Sequence, residues 1–144
     1  MNMVAIIEGD ARDIASIMPI MDSVFDPKFG EAWTMPGSQL VLALIEDQVA
    51  GFALTRWVLD EEELLMIGVD TAHQRKGVAS QIVASVIAAA KNCGRRNLFL
   101  EVRANNAAAQ FYTKLGFVPT GTRRGYYRGA EGERFDATTM SLNF

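Results

Sequence analysis

LLMIGVDTAHQRKGVASQIVASVI, residues 64–87, consists of two apolar runs joined by the polar turn QRKGVA at 74–79. The first run is short and aliphatic, which predicts a strand over 62–69. After the turn, apolar residues recur at helical spacing up to Gly94, where we expect the helix to end. The residues of this apolar stripe are Val78, Ile82, Val83, Val86, Ile87 and Ala90. The segment therefore predicts a strand, a glycine-containing turn and a buried helix in succession.

Upstream of this segment, β-rich runs predict strands over 4–9, 39–46 and 49–58. A helix follows the first strand, with Asp10 as its N-cap and a kink or break at Pro19. We expect its buried face to consist of Ile14, Ile17, Met18 and Met21. Turns at Asp47-Gln48 and near Asp60 make the strands on either side antiparallel neighbours. Residues 26–37 are rich in turn-forming residues and predict a loop.

Downstream of the helix, the sequence predicts a strand over 96–103 and a second helix over 105–116 that ends at Gly116. Two last strands, 117–128 and 132–144, are joined by a turn at 129–132. The element order is β-α-β-β-β-α-β-α-β-β. This order predicts one α+β (mixed α/β) domain over 1–144, with a mostly antiparallel sheet of about seven strands flanked by helices.

The composition is that of a globular protein, with 49% hydrophobic and 22% charged residues among 144. No apolar run approaches the roughly 18 residues of a membrane span, and the first residues lack a signal-peptide pattern. A single cysteine, Cys93, excludes an intramolecular disulfide, and with one histidine in the chain we expect no metal site. We expect a cytoplasmic protein without a membrane partner.

Charge is divided unevenly along the chain. Residues 1–70 carry 3 basic and 13 acidic side chains, a net charge of −10, whereas residues 71–144 carry 11 and 4, a net charge of +7. The division either has no functional meaning or reflects an anionic ligand on the second half and a cationic ligand on the first. DNA is not an expected partner, because the whole chain is acidic and contains no basic helix.

The turn QRKGVA has the features of an anion site at a helix N-terminus. Backbone N–H groups and the helix dipole favour an anion there, and Arg75 and Lys76 add positive charge. Gly77 and Ala79 leave room for the backbone to approach phosphate oxygens closely. An ordinary strand-to-helix turn also contains glycine, so both interpretations stay open. The chain contains neither GxxxxGK[ST] nor GxGxxG, which disfavours a nucleoside triphosphate or a dinucleotide.

Taken together, these motifs resemble those of the GNAT superfamily of N-acetyltransferases. Its acetyl-CoA motif, [QR]xxGx[GA], matches residues 74–79, and its downstream signature of an Asn, a Tyr and LGF matches Asn105, Tyr112 and 115–117. Within the superfamily the chain is similar to the RimI-type ribosomal-protein-alanine N-acetyltransferases, through LFLEVRANNAAA (98–109) and the RRGYY run at 123–127 with its following turn at 132–137. The resemblance covers residues 3–144.

The resemblance implies acetyl-CoA as cosubstrate and a set of residues that bind it. The strand before the turn would hold the pantetheine arm and the thioester carbonyl through backbone amides, with Gly68 as the place for a bulge or a close backbone approach. Counting back from Tyr112 selects Asn105 as a further contact, whereas counting forward from Glu101 selects Asn106. The implied residues are Ile67, Gly68, Val69, Gln74, Arg75, Lys76, Gly77, Val78, Ala79, Ser80, Asn105, Asn106 and Tyr112.

The resemblance also assigns Glu101 as general base and Tyr112 as general acid in direct acetyl transfer. Glu101 interrupts an apolar strand, and alternation places it on the face opposite Leu100 and Val102. From the residues alone, Glu101 could instead be paired with Arg103, two positions away on the same face. Tyr112 could instead simply pack its ring.

The implied acceptor is the basic N-terminal peptide of a ribosomal protein, with an alanine α-amine. The acidic run 60–63 and Glu31, together with Trp33, Tyr126 and Tyr127, are the candidate acceptor-binding residues, with the loop 26–37 setting acceptor choice. The acidic run could equally be a solvated turn, and the tyrosines could be ordinary strand residues. A GNAT enzyme acting on a small amine and a non-catalytic acyl-CoA-binding regulator are the alternative functions.

Overall fold

The structure, a computed structural model, describes residues 4–21, 35–104 and 106–144, except for the side chain of Met21. Within these ranges, seven strands and three α-helices follow one another in the predicted order. The strands are β1 Val4–Gly9, β2 Ser38–Ile45, β3 Gln48–Val58, β4 Glu61–Val69, β5 Asn97–Arg103, β6 Val118–Arg128 and β7 Arg134–Asn143. The helices are α1 Ile14–Met21, α2 Val78–Asn92 and α3 Ala108–Lys114. Glu31, Trp33, Asn105 and residues 26–34 of the predicted loop lie outside the described residues.

The strands form one sheet in the order β1-β2-β3-β4-β5-β7-β6. Every neighbouring pair is antiparallel except β4 and β5, which are parallel and joined by the crossover that contains α2. The predicted mixed, mostly antiparallel sheet of seven strands is therefore confirmed. The described helices are too short or too polar to span a membrane.

The turn between β2 and β3 lies one residue earlier than predicted. It consists of Glu46 and Asp47, both with positive φ (52° and 65°), and not of Asp47-Gln48. Two successive left-handed residues are the geometry of a type I′ hairpin, whose twist matches that of the flanking strands. The β3–β4 turn at Leu59-Asp60 is where it was expected, with Leu59 at a φ of 58°.

The core has a separate part on each face of the sheet. On one face, α2 and α3 pack against apolar residues of β2 to β5 and β7, with Val78, Ile82, Val83, Val86 and Ala90 of α2 buried as predicted. Gly51 of β3 allows this close packing, because a Cβ there would lie 2.9 Å from the Gly68 carbonyl oxygen and 3.1 Å from Ile82. The crossover helix is thereby seated closely against β3.

On the other face, α1 packs over β2 and β3 through Ile17 and Ile20. Asp10 forms the expected cap, as part of a capping box that opens a 3-10 turn before the helix. The prediction for Met18 was wrong, because its side chain is 46% exposed. The core-facing stripe is rotated toward Ile20, and the helix continues through Pro19 to residue 21.

Candidate active site

The parallel strands β4 and β5 are paired at their beginnings and then separate. Their register ends at the Glu63–Phe99 pair, although β4 continues to Val69 and β5 to Arg103. We call this point of separation the fork. Beyond it the strands border a cleft of about 400 Å³. The cleft is lined by Leu64, Leu65, Met66, Ile67, Leu100, Glu101, Val102, Arg103, Asn106, Ala108, Tyr112 and Tyr127.

A β-bulge in β4 lies at the beginning of this cleft. Leu54 and Thr55 of β3 pair with Met66 and Leu64, which leaves Leu65 as the extra residue. Of the two possibilities predicted for Gly68, a bulge or a close backbone approach, the bulge was wrong, since Gly68 pairs regularly with Phe52. A bulge bends its strand and increases its twist, so its position just after the last β4–β5 pair accounts for the separation. The β5-facing backbone groups of β4 beyond Glu63 therefore have no partner in β5.

The predicted acetyl-CoA loop lines a second cavity, of about 300 Å³, at the N-terminus of α2. Gly77 is the N-cap with a φ of 76° and provides no side-chain cap. The first bond of the helix runs from Gln81 N–H to the Gly77 carbonyl at 3.2 Å, so the N–H groups of residues 78–80 have no intrahelical acceptor. These amides and the left-handed Arg75 (φ 64°) suit an anion.

The predicted loop residues are not all at this cavity. Its lining consists of Val69, His73, Gln74, Arg75, Gly77, Val78, Ala79, Ser80 and Phe111. His73 and Phe111 were missed, because neither belongs to the motif, although each adjoins a motif residue in sequence. Lys76 is not in the lining, and its Nζ lies 3.3 Å from His73 Nδ1. Gln74 donates to the Val69 carbonyl at 3.4 Å, which ties the loop to the end of β4.

Glu101 lies in the cleft and forms an ion pair with an arginine of β6. Its side chain is only 10% exposed, and its Oε1 lies 2.9 Å from Arg123 Nε. Pairing with Arg103 was the alternative interpretation from sequence, but the Arg103 guanidinium lies 3.4 Å from the centre of the Phe135 ring. Among the described residues, Oε2 of Glu101 has no hydrogen-bond partner. That oxygen is free to accept a proton.

Tyr112 reaches the same cleft from α3. Its ring is packed edge to face between Phe111 and Phe117, with ring centres 5.0 and 5.7 Å away. Burial raises the pKa of Tyr112 to about 12, so the phenol remains protonated at neutral pH. The described part of the chain provides no hydrogen-bond partner for its hydroxyl. Tyr112 therefore both packs and presents a proton donor.

The remaining predicted residues are placed as follows. Asn106 lines the cleft, and its side-chain oxygen accepts from Ala108 N–H at 2.9 Å, which caps α3. Tyr127 lines the cleft, and its hydroxyl lies 3.5 Å from the Glu101 carbonyl oxygen. Tyr126 is 41% exposed and packs edge to face on Tyr127 without lining the cleft.

Two of the four residues of the acidic run 60–63 form ion pairs. Asp60 lies 3.4 Å from Arg96, and the buried Glu62 lies 3.4 Å from Arg95. Both pairs join the β3–β4 hairpin to the segment that leads into β5, and so hold the closed end of the fork together. Glu63 differs, because its electrostatic neighbours are Glu101, Arg123 and Arg56.

The fold and this cleft define a class of protein, and comparisons with known proteins identify it. The family model described as an acetyltransferase (GNAT) domain matches residues 23–135, so the chain belongs to the GNAT family. The chain is 43% identical over 98 residues to the ribosomal protein bS18-alanine N-acetyltransferase of Salmonella typhimurium. The aligned stretch covers 67% of this chain and 66%, just under two thirds, of that protein.

Two further comparisons give the same result. The protein of that name from Haemophilus influenzae is 37% identical over 103 residues, 71% of this chain and 70% of the relative. The crystal structure of the ribosomal-protein-S18-alanine N-acetyltransferase from Escherichia coli superposes with a TM-score of 0.88 at 32% identity, covering 98% of this chain and 94% of the other. The resemblance to RimI-type enzymes inferred from the motifs is confirmed.

Proposed function

We propose that this protein transfers the acetyl group of acetyl-CoA to the N-terminal α-amine of a protein, an alanine on a small-subunit ribosomal protein. The observation that carries the proposal is the cleft at the fork, where Glu101 and Tyr112 face one space beside the anion-binding turn. The names of the relatives support the acceptor, since they are ribosomal protein bS18-alanine N-acetyltransferases.

The donor fits the site through backbone rather than side-chain groups. The helix amides of residues 78–80 and the Arg75 side chain would bind the pyrophosphate, while the β5-facing backbone of β4 at 66–69 would bind the pantetheine arm. Acetyl-CoA supplies the activated acetyl group as a thioester. An amide of β4 directed at the thioester oxygen would stabilise its developing negative charge by about 2.7–4 kcal/mol, judged from oxyanion-hole deletions.

Glu101 would act as general base on the acceptor. The α-ammonium must lose a proton before its nitrogen can attack, and Oε2 of Glu101 is available to receive it, directly or through a water. Tyr112 would donate its proton to the departing CoA sulfur. Burial raises the pKa of Tyr112, which keeps the proton on the phenol at neutral pH but also makes the phenol a weaker acid toward the thiolate.

Thiol release from acetyl-CoA tests the proposal when a panel of acceptors is compared. We expect turnover with a basic peptide that begins with alanine, and none with the same peptide acetylated at its N-terminus. Mass spectrometry of the product should place the acetyl group on the α-amine and not on a lysine. Turnover of polyamines, aminoglycosides or free amino acids, without turnover of the peptide, would contradict the acceptor. Tight acetyl-CoA binding without turnover of any acceptor would contradict catalysis.

A further inference from the structure

Glu63 lies at the fork itself, on the same face of the sheet as Glu101. It forms the last parallel pair, with Phe99, before β4 and β5 separate. Paired residues share a face, and so do residues two apart on one strand, which places Glu63, Phe99 and Glu101 on one side. The antiparallel partner of Glu63 on β3 is Arg56. Glu63 and Glu101, from two different strands, therefore lie on one face of the sheet as electrostatic neighbours, with Glu101 lining the cleft and Glu63 next to its closed end.

The net charge of the side chains around Glu101 depends on Glu63. Glu101 is already paired with Arg123 at 2.9 Å, so these two alone carry no net charge. Glu63 adds a negative charge beside them. The nearby Arg56 donates to the neutral Pro36 carbonyl at 3.3 Å and keeps its positive charge. Without Glu63 the group would therefore carry a net positive charge that repels a cation, whereas with Glu63 its positive and negative charges balance.

The position of Glu63 is unfavourable for an ionised group. Burial raises the pKa of Glu63, and the charge of Glu101 adds to the effect, whereas Arg123 and Arg56 act in the opposite direction. The two arginines therefore do not fully compensate for burial and like-charge repulsion. A cation placed between Glu63 and Glu101 would relieve both, because it is attracted to each carboxylate.

We propose that Glu63 is an acceptor-binding residue that, together with Glu101, holds the α-ammonium of the incoming peptide before it is deprotonated. The inference rests on the proposed function and adds the group that selects a charged amine. One N–H bond of the ammonium then breaks as an O–H bond forms on Glu101, and the neutral amine is left beside Glu63.

Arg123 can give way to the incoming ammonium. Its side chain is 60% exposed on the edge strand β6, and its guanidinium already lies 5.2 Å from the centre of the Tyr126 ring. A small rotation toward that ring would keep a favourable cation–π contact while freeing Glu101. The Arg123–Glu101 pair thus occupies, in the free enzyme, the place that the acceptor cation takes when it binds.

Peptide binding with CoA present tests this without any chemistry. We would measure the Kd of an alanine-initiated basic decapeptide and of its N-acetylated form, for the wild-type enzyme, Glu63→Gln and Glu61→Gln. Glu61 is the matched control, because it lies two residues earlier on the same strand and is exposed. Glu63→Gln should weaken binding of the free-amine peptide about tenfold, and leave the Kd of the acetylated peptide within about twofold.

The possible results separate this inference from the proposed function. An unchanged Kd for the free-amine peptide, or equal weakening for both peptides, would overturn the role of Glu63, the second result because it indicates a structural effect. An equal loss of affinity for the free-amine peptide in Glu61→Gln would overturn it as well, since any acidic residue of the N-terminal half would then serve to bind the ammonium. If the wild-type enzyme binds neither peptide, the proposed acceptor fails and the inference fails with it.

Discussion

Glu101 is isolated from solvent but not from charge, and both properties matter for a base. Its side chain is 10% exposed and lines the cleft, and its Oε1 lies 2.9 Å from Arg123 Nε. Loss of the carboxylate removes the only proton acceptor that we assign to the reaction. The surrounding contacts involve one oxygen and a neighbouring arginine, so an amide can replace the carboxylate with little change of shape.

Glu101→Gln should therefore lower kcat by about 10²–10⁴-fold. Binding of acetyl-CoA, measured by calorimetry, should be unchanged, because no donor-binding role is assigned to Glu101. The rise of kcat with pH that reports deprotonation of the base should disappear in the variant. A loss of less than about tenfold, or a pH–rate profile identical to that of the wild type, would refute the assignment.

Glu63 gives a prediction about stability. Because its pKa is raised in the folded protein, mainly by burial and then by Glu101, the folded state binds the proton more tightly than the unfolded state. Its ionisation therefore costs stability above the raised folded pKa, and this cost vanishes as the pH falls below the unfolded value.

Glu63→Gln should accordingly raise the free energy of unfolding at pH 7. The difference in stability between the variant and the wild type should shrink as the pH falls from the raised pKa of folded Glu63 to the ordinary pKa of a glutamate in the unfolded chain. Urea denaturation at several pH values would measure it, with Glu61→Gln as the control. A variant that is less stable than the wild type at pH 7 would contradict the unfavourable position of Glu63. A binding residue that lowers the stability of the folded protein is an example of the trade-off between stability and function.

At the scale of elements, the N-terminus of α2 is the feature that the sequence predicted best. Gly77 and Gly94 flank this helix with φ values of 76° and 79°, and a Cβ on either would meet no atom of the described residues within 4 Å. An alanine at either position should cost about 1 kcal/mol of stability, because L-residues disfavour this conformation. Only Gly77 lies in the cavity proposed for the pyrophosphate.

Gly77→Ala should thus weaken acetyl-CoA binding about tenfold or more, since Gly77 lines the cavity proposed for the pyrophosphate and a Cβ there would hinder close approach of the phosphates to the backbone. Gly94→Ala should lose the same stability and bind acetyl-CoA like the wild type. Calorimetric titration and thermal unfolding of both variants would compare the two effects. Equal acetyl-CoA affinities in the two variants would argue against phosphate binding at this turn.

The point along the chain at which β4 separates from β5 could not be predicted from the sequence. Alternation predicts both strands, and the crossover helix predicts that they are parallel, because these signals are local. The bulge depends on how β4 is registered against β3, and only the fold reveals that Leu65 rather than Gly68 is the extra residue. Likewise, pairing of Glu101 with Arg123 rather than Arg103 follows from β6 lying two strands away, a long-range arrangement without a local pattern.

At the scale of the whole molecule, the division of charge along the chain becomes, in the sheet, a division between two sets of strands. Residues 1–70 provide β1 to β4 and residues 71–144 provide β5 to β7, and the sheet order keeps each set contiguous. The fork therefore lies between strands that come from the acidic half of the sequence and strands that come from its basic half. The turn that we propose binds the pyrophosphate belongs to the basic half, while Glu63, in the last β4–β5 pair, belongs to the acidic half.

This arrangement predicts that a basic acceptor peptide is drawn toward the cleft by long-range attraction, which salt screens. Raising the ionic strength from about 0.1 to about 1 M shortens the screening length from about 10 to about 3 Å. The KM of a basic alanine-initiated peptide should then rise several-fold, mainly through slower association. A peptide with the same first residues but no further charge is the matched control, and its KM should change less. Equal changes for the two peptides would mean that the acidic half does not attract the acceptor, and that binding depends on the local contacts at Glu63 and Glu101 alone.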